Sequence, residues 1–282
     1  MNKKLLTSVL GMTLSAVLLI AHGTSSARDL EKIRSASTLR VGVYKDFPPY
    51  ADNGEGIDVD IAKALAERLN LKPDVFSYDA DDNMDNDLRT IVWKGSALAI
   101  APPPAEVMLH VPVDSVLMSR NPQVKIFAPY HRETMAAVRN TELLPKLDAI
   151  TDVGNQTIGA EGDSIMSMAL LSSNAGRLRN QVVHFRSPDE AQKALVEGRI
   201  AGYFGMRSQV EPILVATGKK FIMTVPPPLA GLPLAGWQLG LAVPANQSEL
   251  QALLQKAMSD MSSDGTLDRI FKQHAVTRIS PQ

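Results

Sequence analysis

The run from Leu39 to Leu69 constrains the fold most strongly. It begins L39-R-V-G-V-Y-K-D-F-P-P-Y50, crosses a polar gap with two glycines, and continues I57-D-V-D-I-A-K-A-L-A-E-R-L69. The first part reads as a short apolar strand that stops at a stiff Pro-Pro-aromatic corner. The second places Ile61, Ala62, Leu65, Ala66 and Leu69 on one stripe, the spacing of an amphipathic helix. Asp58 stands where a carboxylate can accept from the free N–H groups of the first turn, which predicts it as the helix cap. A strand, a corner and a helix in that order belong to an α/β layer. They put Tyr44, Phe47, Pro48 and Tyr50 at the carboxyl end of a strand, the edge at which open α/β sheets bind ligands.

The chain opens with Lys3 and Lys4, an apolar stretch from Leu5 to Ala21, and Ser25-Ser26-Ala27. A cationic start, a short apolar core and small residues are the marks of a secretory signal, so residues 1–27 are expected to be removed after Ala27. The mature chain of about 255 residues would then be periplasmic and not inserted in the membrane, because no later stretch is long and apolar enough to span one. Lys and Arg number 29 against 30 Asp and Glu; without Lys3 and Lys4 the balance is 27 against 30. That mild negative charge, with no basic run, argues against a nucleic-acid partner. Cysteine is absent, which removes thiolate metal sites, haem attachment and a cysteine nucleophile. An exported chain without disulfides depends on an ordinary core, and this length can bury one.

Strand and helix signals alternate along the chain, which predicts α/β layers. Val75–Tyr78, Ala97–Ile100, Val124–Ala128 and Thr134–Val138 read as strands, with a helix over Asp85–Trp93 ended by Gly95. A second series reads Thr157–Ala160, Val182–Phe185, Ala201–Phe204, Phe221–Val225 and Trp237–Val243. Helices start after Gly162-Asp163-Ser164 and at Ser187-Pro188-Asp189-Glu190, where the serine caps, the proline takes the first helical position and the glutamate reaches back. From Ser248, Leu250, Leu253, Leu254, Ala257, Met258 and Met261 keep helical spacing, and Thr266–Gln273 forms a last short helix.

Gly162-Asp163-Ser164 at a strand-to-helix junction admits several readings. As a Gly-Asp-Ser nucleophile it would need a histidine preceded by an aspartate three residues earlier, and none of His22, His110, His131, His184 and His274 has one. An anion site on free N–H groups and a plainly capped helix start both remain. The histidines show no zinc spacing. The acidic run Asp79, Asp81, Asp82, Asp85, Asp87 fails as a calcium loop, because the sixth and twelfth positions are Met84 and Thr90 in one frame and Asn86 and Val92 in the other. No metal and no cofactor is expected. Tyr44, Phe47, Tyr50 and Trp93 read as an aromatic cleft wall, with plain core packing the alternative for Trp93.

The strand-corner-helix order behind an export signal resembles the first lobe of family 3 periplasmic solute-binding proteins, the polar-amino-acid type. More narrowly, L88-R-T-I-V-W-K-G95, V107-M-L-H-V-P-V-D114 and N121-P-Q-V-K-I-F-A-P-Y130 are similar to the periplasmic "J" accessory proteins associated with methanol and related quinoprotein alcohol dehydrogenases. The resemblance implies a two-lobed α/β periplasmic-binding-protein fold of type II. One lobe would comprise 28–132 plus 237–282 and the other 133–236, with a hinge of two crossing strands near Thr134–Val138 and Gln238–Val243. It implies a non-catalytic protein.

The chain departs from amino-acid binders at both charge partners. Where they carry a Thr-x-x-Arg whose arginine clamps the α-carboxylate, this chain has A101-P-P-P-A-E-V-M108; where they place an aspartate for the α-ammonium, it has G205-M206-R207. A zwitterion buried without partners costs several kcal/mol per ion, so an ordinary amino acid is a poor ligand. The expected rim combines Tyr44, Phe47, Pro48 and Tyr50 with Trp93, Ala101, Pro102 and Glu106. The second lobe would add Gly162, Asp163, Ser164, Met206 and Arg207. The leading expectation is an accessory or maturation factor that binds a periplasmic quinoprotein alcohol dehydrogenase, with Arg207 and Phe47 as anchors for an extended segment. The alternative is the substrate-binding receptor of an ABC transporter for a small polar solute. An enzyme on the same scaffold is a third class.

Overall fold

The computed structural model describes residues 28–96, 102–217, 220–233 and 235–281. The leader, the strand expected at 97–100 and Ala101 lie outside the described residues. In chain order the first half comprises α1 (Leu30–Ala36), β1 (Thr38–Tyr44), α2 (Ile57–Arg68), β2 (Lys72–Tyr78), α3 (Met84–Asp87), β3 (Val107–Pro112), α4 (Ser115–Arg120) and β4 (Val124–Glu133). Then come β5 (Met135–Asn140), β6 (Ile158–Glu161), α5 (Ile165–Ser172), β7 (Val182–Phe185), α6 (Pro188–Val196), β8 (Gly202–Met206), α7 (Arg207–Thr217) and β9 (Phe221–Thr224). The chain closes with β10 (Trp237–Pro244), α8 (Ser248–Ser263) and α9 (Thr266–Gln273).

Among the described residues the strands form two five-stranded sheets, ordered β2-β1-β3-β10-β4 and β7-β6-β8-β5-β9. In the first, β1 runs parallel to β2 and β3, and β10 runs antiparallel to β3 and β4. In the second, β6 runs parallel to β7 and β8, while β5 is antiparallel to β8 and β9. Strand order reverses at β1/β3 and at β6/β8, the crevices where such sheets bind ligands. Helices α2, α8 and α9 close the first sheet: Ile61, Leu65, Leu250, Leu254 and Phe271 share one buried cluster with Leu39, Val41 and Val43 of β1. Each such side chain stabilises the fold by roughly 1.5–3 kcal/mol. A separate cluster around Ile158, Met166, Leu170 and Phe204 serves the second sheet, and Trp237 packs against both.

The chain passes between the sheets at Thr134 and again just before β10. Gly236, at φ +70°, lies so close to β4 that a Cβ there would fall on the Glu133 carbonyl oxygen. Only glycine fits that backbone and that gap.

Several local expectations change. The strand that runs parallel to β1 on its other side is Val107–Pro112, a stretch to which the sequence reading assigns no element. The helix expected over Asp85–Trp93 is a four-residue α-helix capped by Asn83 and then a wider π-helical turn, Leu88–Trp93, which buries Leu88, Ile91 and Val92. Gly42 of β1 makes room for that turn, since a Cβ would stand 2.6 Å from Ile91 Cγ2. Asp58 does not cap α2: Gly56 holds that position, and the Asp58 carboxylate is buried with two side-chain partners. Ser187 does cap α6, but Glu190 reaches the Arg186 N–H rather than its own cap's. Helix α7 escaped the sequence reading because Pro212 sits inside it.

Candidate functional site

On the first lobe, β1 delivers Tyr44 to the carboxyl edge and the Phe47–Ala51 corner folds back on itself through Phe47 N–H to Ala51 C=O, 2.7 Å. The Pro48–Pro49 peptide is cis. Phe47 stacks on Tyr50 at 5.7 Å and meets Tyr44 and His110 edge-on at 5.9 and 4.9 Å. Behind this wall every polar tip is taken. The Tyr44 hydroxyl donates to Asp87 at 2.6 Å and that of Tyr50 to Glu133 at 2.6 Å. Tyr130 donates to Asp58 at 2.7 Å, and His110 Nδ1 lies 3.1 Å from the other Asp58 oxygen. Burial pushes the Tyr44, Tyr50 and Tyr130 phenols up, and the neighbouring carboxylates of Asp87, Glu133 and Asp58 push them further. Tyr44 and Tyr50 therefore brace the wall, and half-buried Phe47 is the face it offers.

On the second lobe, β6 ends at Glu161 and β8 at Met206. Ser164 caps α5: its hydroxyl accepts from Ser167 N–H at 3.1 Å and donates to the Glu161 carbonyl at 2.8 Å. It is not a nucleophile with a base, since the nearby His184 imidazole contacts Ser167 instead, at 2.7 Å. Gln209 of α7 donates to Glu161 Oε2 at 2.7 Å. Burial pushes the Glu161 carboxyl up, and the Gln209 bond partly counters it.

Between these edges lies a cavity of about 310 Å³. Phe47 supplies the first-lobe wall; the Gly162-Asp163-Ser164 turn, Met206 and Gly205 supply the opposite one, with Glu161, Gln209, Met135, Ile165 and Met166. The structure thus brings together Phe47, Gly162, Asp163, Ser164 and Met206 of the expected rim. Trp93 is half-buried and packs against the core cluster that holds Tyr44, Tyr78 and Leu88. Pro102 is half-buried and outside the cavity lining; the next residue's carbonyl accepts from the Tyr78 hydroxyl. Glu106 leaves the rim altogether. It is fully buried at the amino end of β3, where its carboxylate takes the Arg28 guanidinium and the Arg40 N–H. Arg207 holds Glu211 at 2.7 Å and does not line the cavity.

The sequence reading missed Met135, Glu161, Ile165, Met166, Gly205 and Gln209. Glu161 was legible as the last strand residue before the Gly-Asp-Ser junction. Gln209 was hidden with α7. No arginine stands directly after β3 either: Val113-Asp114-Ser115-Val116-Leu117-Met118 follows it, and Arg120 beyond pairs with Asp85 at 3.3 Å. The lining residues include two acids and no Lys, Arg or His.

Behind the cavity Glu133 ties the lobes. It accepts from Tyr50 of the first lobe, and from the Ser208 hydroxyl, at 2.5 Å, and the Thr134 N–H. Burial raises its carboxyl, against the pull of these donors. The C-terminal tail makes a further tie. Ile279 pairs with Arg132 and His131 of β4, and the Thr277 N–H donates to Glu211 of α7. Among the described residues no group of three His, Cys, Asp or Glu could hold a metal ion, and no helix is long and apolar enough to cross a membrane.

No protein-family model matches the chain. Two Escherichia coli (strain K12) proteins named as arginine-binding proteins of ABC transporters are 23% identical to it, over 252 and 246 residues, each 85% of this chain and 91% of the relative. An ancestral cationic amino acid solute-binding protein superposes with a TM-score of 0.63 at 18% identity, covering 86% of this chain and 97% of that one. An amino acid ABC transporter substrate-binding protein from Streptococcus pneumoniae, bound to L-arginine, gives 0.58 at 18% identity, covering 88% and 98%. The fold is therefore the two-lobed α/β solute-binding-protein fold.

Proposed function

We propose that the chain is an exported solute-binding receptor that closes its two lobes on a small ligand and hands it to a membrane transporter. The observation that carries this reading is the cavity of about 310 Å³ between Phe47 at the β1 edge and the β6 and β8 edges of the other lobe. It lies where both sheets reverse strand order, and its size falls at the small end of ligand pockets. The relatives' names support the transporter context, and the signal-like first 27 residues support export. A thermal-shift panel of small metabolites with small-angle scattering on each hit tests it. The receptor reading expects a hit that raises the melting temperature and lowers the radius of gyration; hits without compaction count against lobe closure.

The dehydrogenase-accessory reading draws nothing from these relatives. What favours it is the lack of a carboxylate clamp in the cleft. Its proposed anchor Arg207 is already engaged by Glu211, which leaves Phe47 as the anchor on offer. Pull-down from periplasm tests it, and recovery of a quinoprotein by wild type but not by Phe47→Ala is the outcome it requires.

A further inference from the structure

The cleft carries an unbalanced charge. Among the described residues its lining holds Glu161 and Asp163 and no cationic side chain. Asp163 is exposed and solvated, but Glu161 is half-buried. One Glu161 oxygen takes the Gln209 amide; among the described residues no hydrogen bond or ion pair reaches the other. The Tyr203 hydroxyl lies close enough to feel the Glu161 charge, is fully buried, and has no hydrogen-bond partner among the described residues. Native structures leave few such groups unpaired. Tyr203 does not line the cavity; its ring carbon Cε1 lies 3.2 Å from where a Cβ on Gly205, a lining residue, would stand.

Apart from Ser164 and Gln209, the rest of the lining is soft and apolar, with the Phe47 ring, Ile165 and the thioethers of Met135, Met166 and Met206. An aromatic face attracts a cation electrostatically, and methionine packs adaptably around irregular groups. The same lining offers a carboxylate no cationic side chain among the described residues. It offers no guanidinium, Arg207 and Arg120 are paired elsewhere, and two acids already occupy the rim.

We propose that the cleft selects an organic monocation, an amine with an apolar body and no carboxylate. Its ammonium sits on the free oxygen of Glu161 and its body lies against Phe47 and the three methionines. This rests on the receptor reading and names its ligand class.

Calorimetric titration of the mature chain with matched pairs tests it: phenethylammonium against phenylalanine, and isoamylammonium against leucine. Each amine is expected to bind at least ten-fold tighter than its amino acid. Glu161→Gln is expected to weaken amine binding at least ten-fold, as is Met206→Arg, which adds a cation to the lining. An amino acid binding as tightly as its amine overturns the proposal, as does a folded Glu161→Gln with wild-type amine affinity. The wild-type pairs decide the matter even if a variant fails to fold. A neutral sugar or a carboxylate that binds and closes the lobes, where the amines do not, sinks the amine inference and leaves the receptor standing. If wild type binds nothing in the whole panel, both fall.

Discussion

His131 makes the stability of this protein depend on pH in a way that one substitution isolates. Its side chain is buried on β4, tilted against Phe271 at 4.6 Å, and its Nδ1 accepts the Ile279 N–H of the tail at 3.1 Å. Burial, with His110 and the guanidinium groups of Arg278 and Arg207 nearby, pushes its pKa down to about 3 from 6.5. The unfolded chain therefore binds a proton between these limits that the folded chain does not. The sign follows: stability is full above about pH 6.5 and falls as pH drops towards 3. Between pH 7 and pH 5 the loss is about 2 kcal/mol, with a ceiling near 5 kcal/mol at about 1.36 kcal/mol per pH unit. His131→Gln keeps an acceptor for Ile279 and removes the titration. Urea unfolding of both proteins at pH 7, 6 and 5 gives the comparison, in which the buried carboxylates shared by both cancel. Wild type should lose about 2 kcal/mol more than the variant over that range. Parallel pH curves would refute the reasoning.

Three other substitutions probe the framework. Gly236→Ala places a Cβ on the Glu133 carbonyl at a positive φ and should destabilise by at least ~2 kcal/mol in thermal or urea unfolding; a neutral effect would mean the crossing is loose. Glu106→Ala strips Arg28 and the Arg40 N–H of their partner at the amino end of β3 and should cost about 3 kcal/mol by chemical denaturation, while leaving the ligand affinity of the surviving fold unchanged. Ser164→Ala removes only a cap and should cost ~1 kcal/mol by the same measurement; a much larger loss would point to a role beyond capping.

What was legible in the sequence was what periodicity and caps encode. The β1-corner-α2 unit, the Ser164 and Ser187 caps and the apolar stripe of α8 all follow from local rules, and the structure contains them. What failed depended on buried polar partners. Val107–Pro112 carries no strand in the sequence reading, and its one titratable member, His110, pairs with Asp58 in the core. The same pairing withdrew Asp58 from capping, because a carboxylate with two buried partners gains more there than in solvent. Glu106 looked like a rim acid because Val107–Pro112 was read without a strand, and that strand fixes Glu106 at its buried amino end. Pro212 concealed α7, and with it Gln209. Half of the cavity wall thus went unseen, although Glu161 stood one residue from a turn already singled out.

The account turns on the cavity between Phe47 and Glu161 being the solute site. Its three methionines make that directly visible. With methionine methyl groups labelled with carbon-13, the mature chain is titrated with phenethylammonium and with phenylalanine, and NMR shifts are followed for whichever binds. The account predicts movement of the Met135, Met166 and Met206 methyl signals, with Met258 and Met261, buried under α8 in the first-lobe core, unmoved. Saturable binding that shifts Met258 or Met261 and leaves the three cavity signals in place would contradict it.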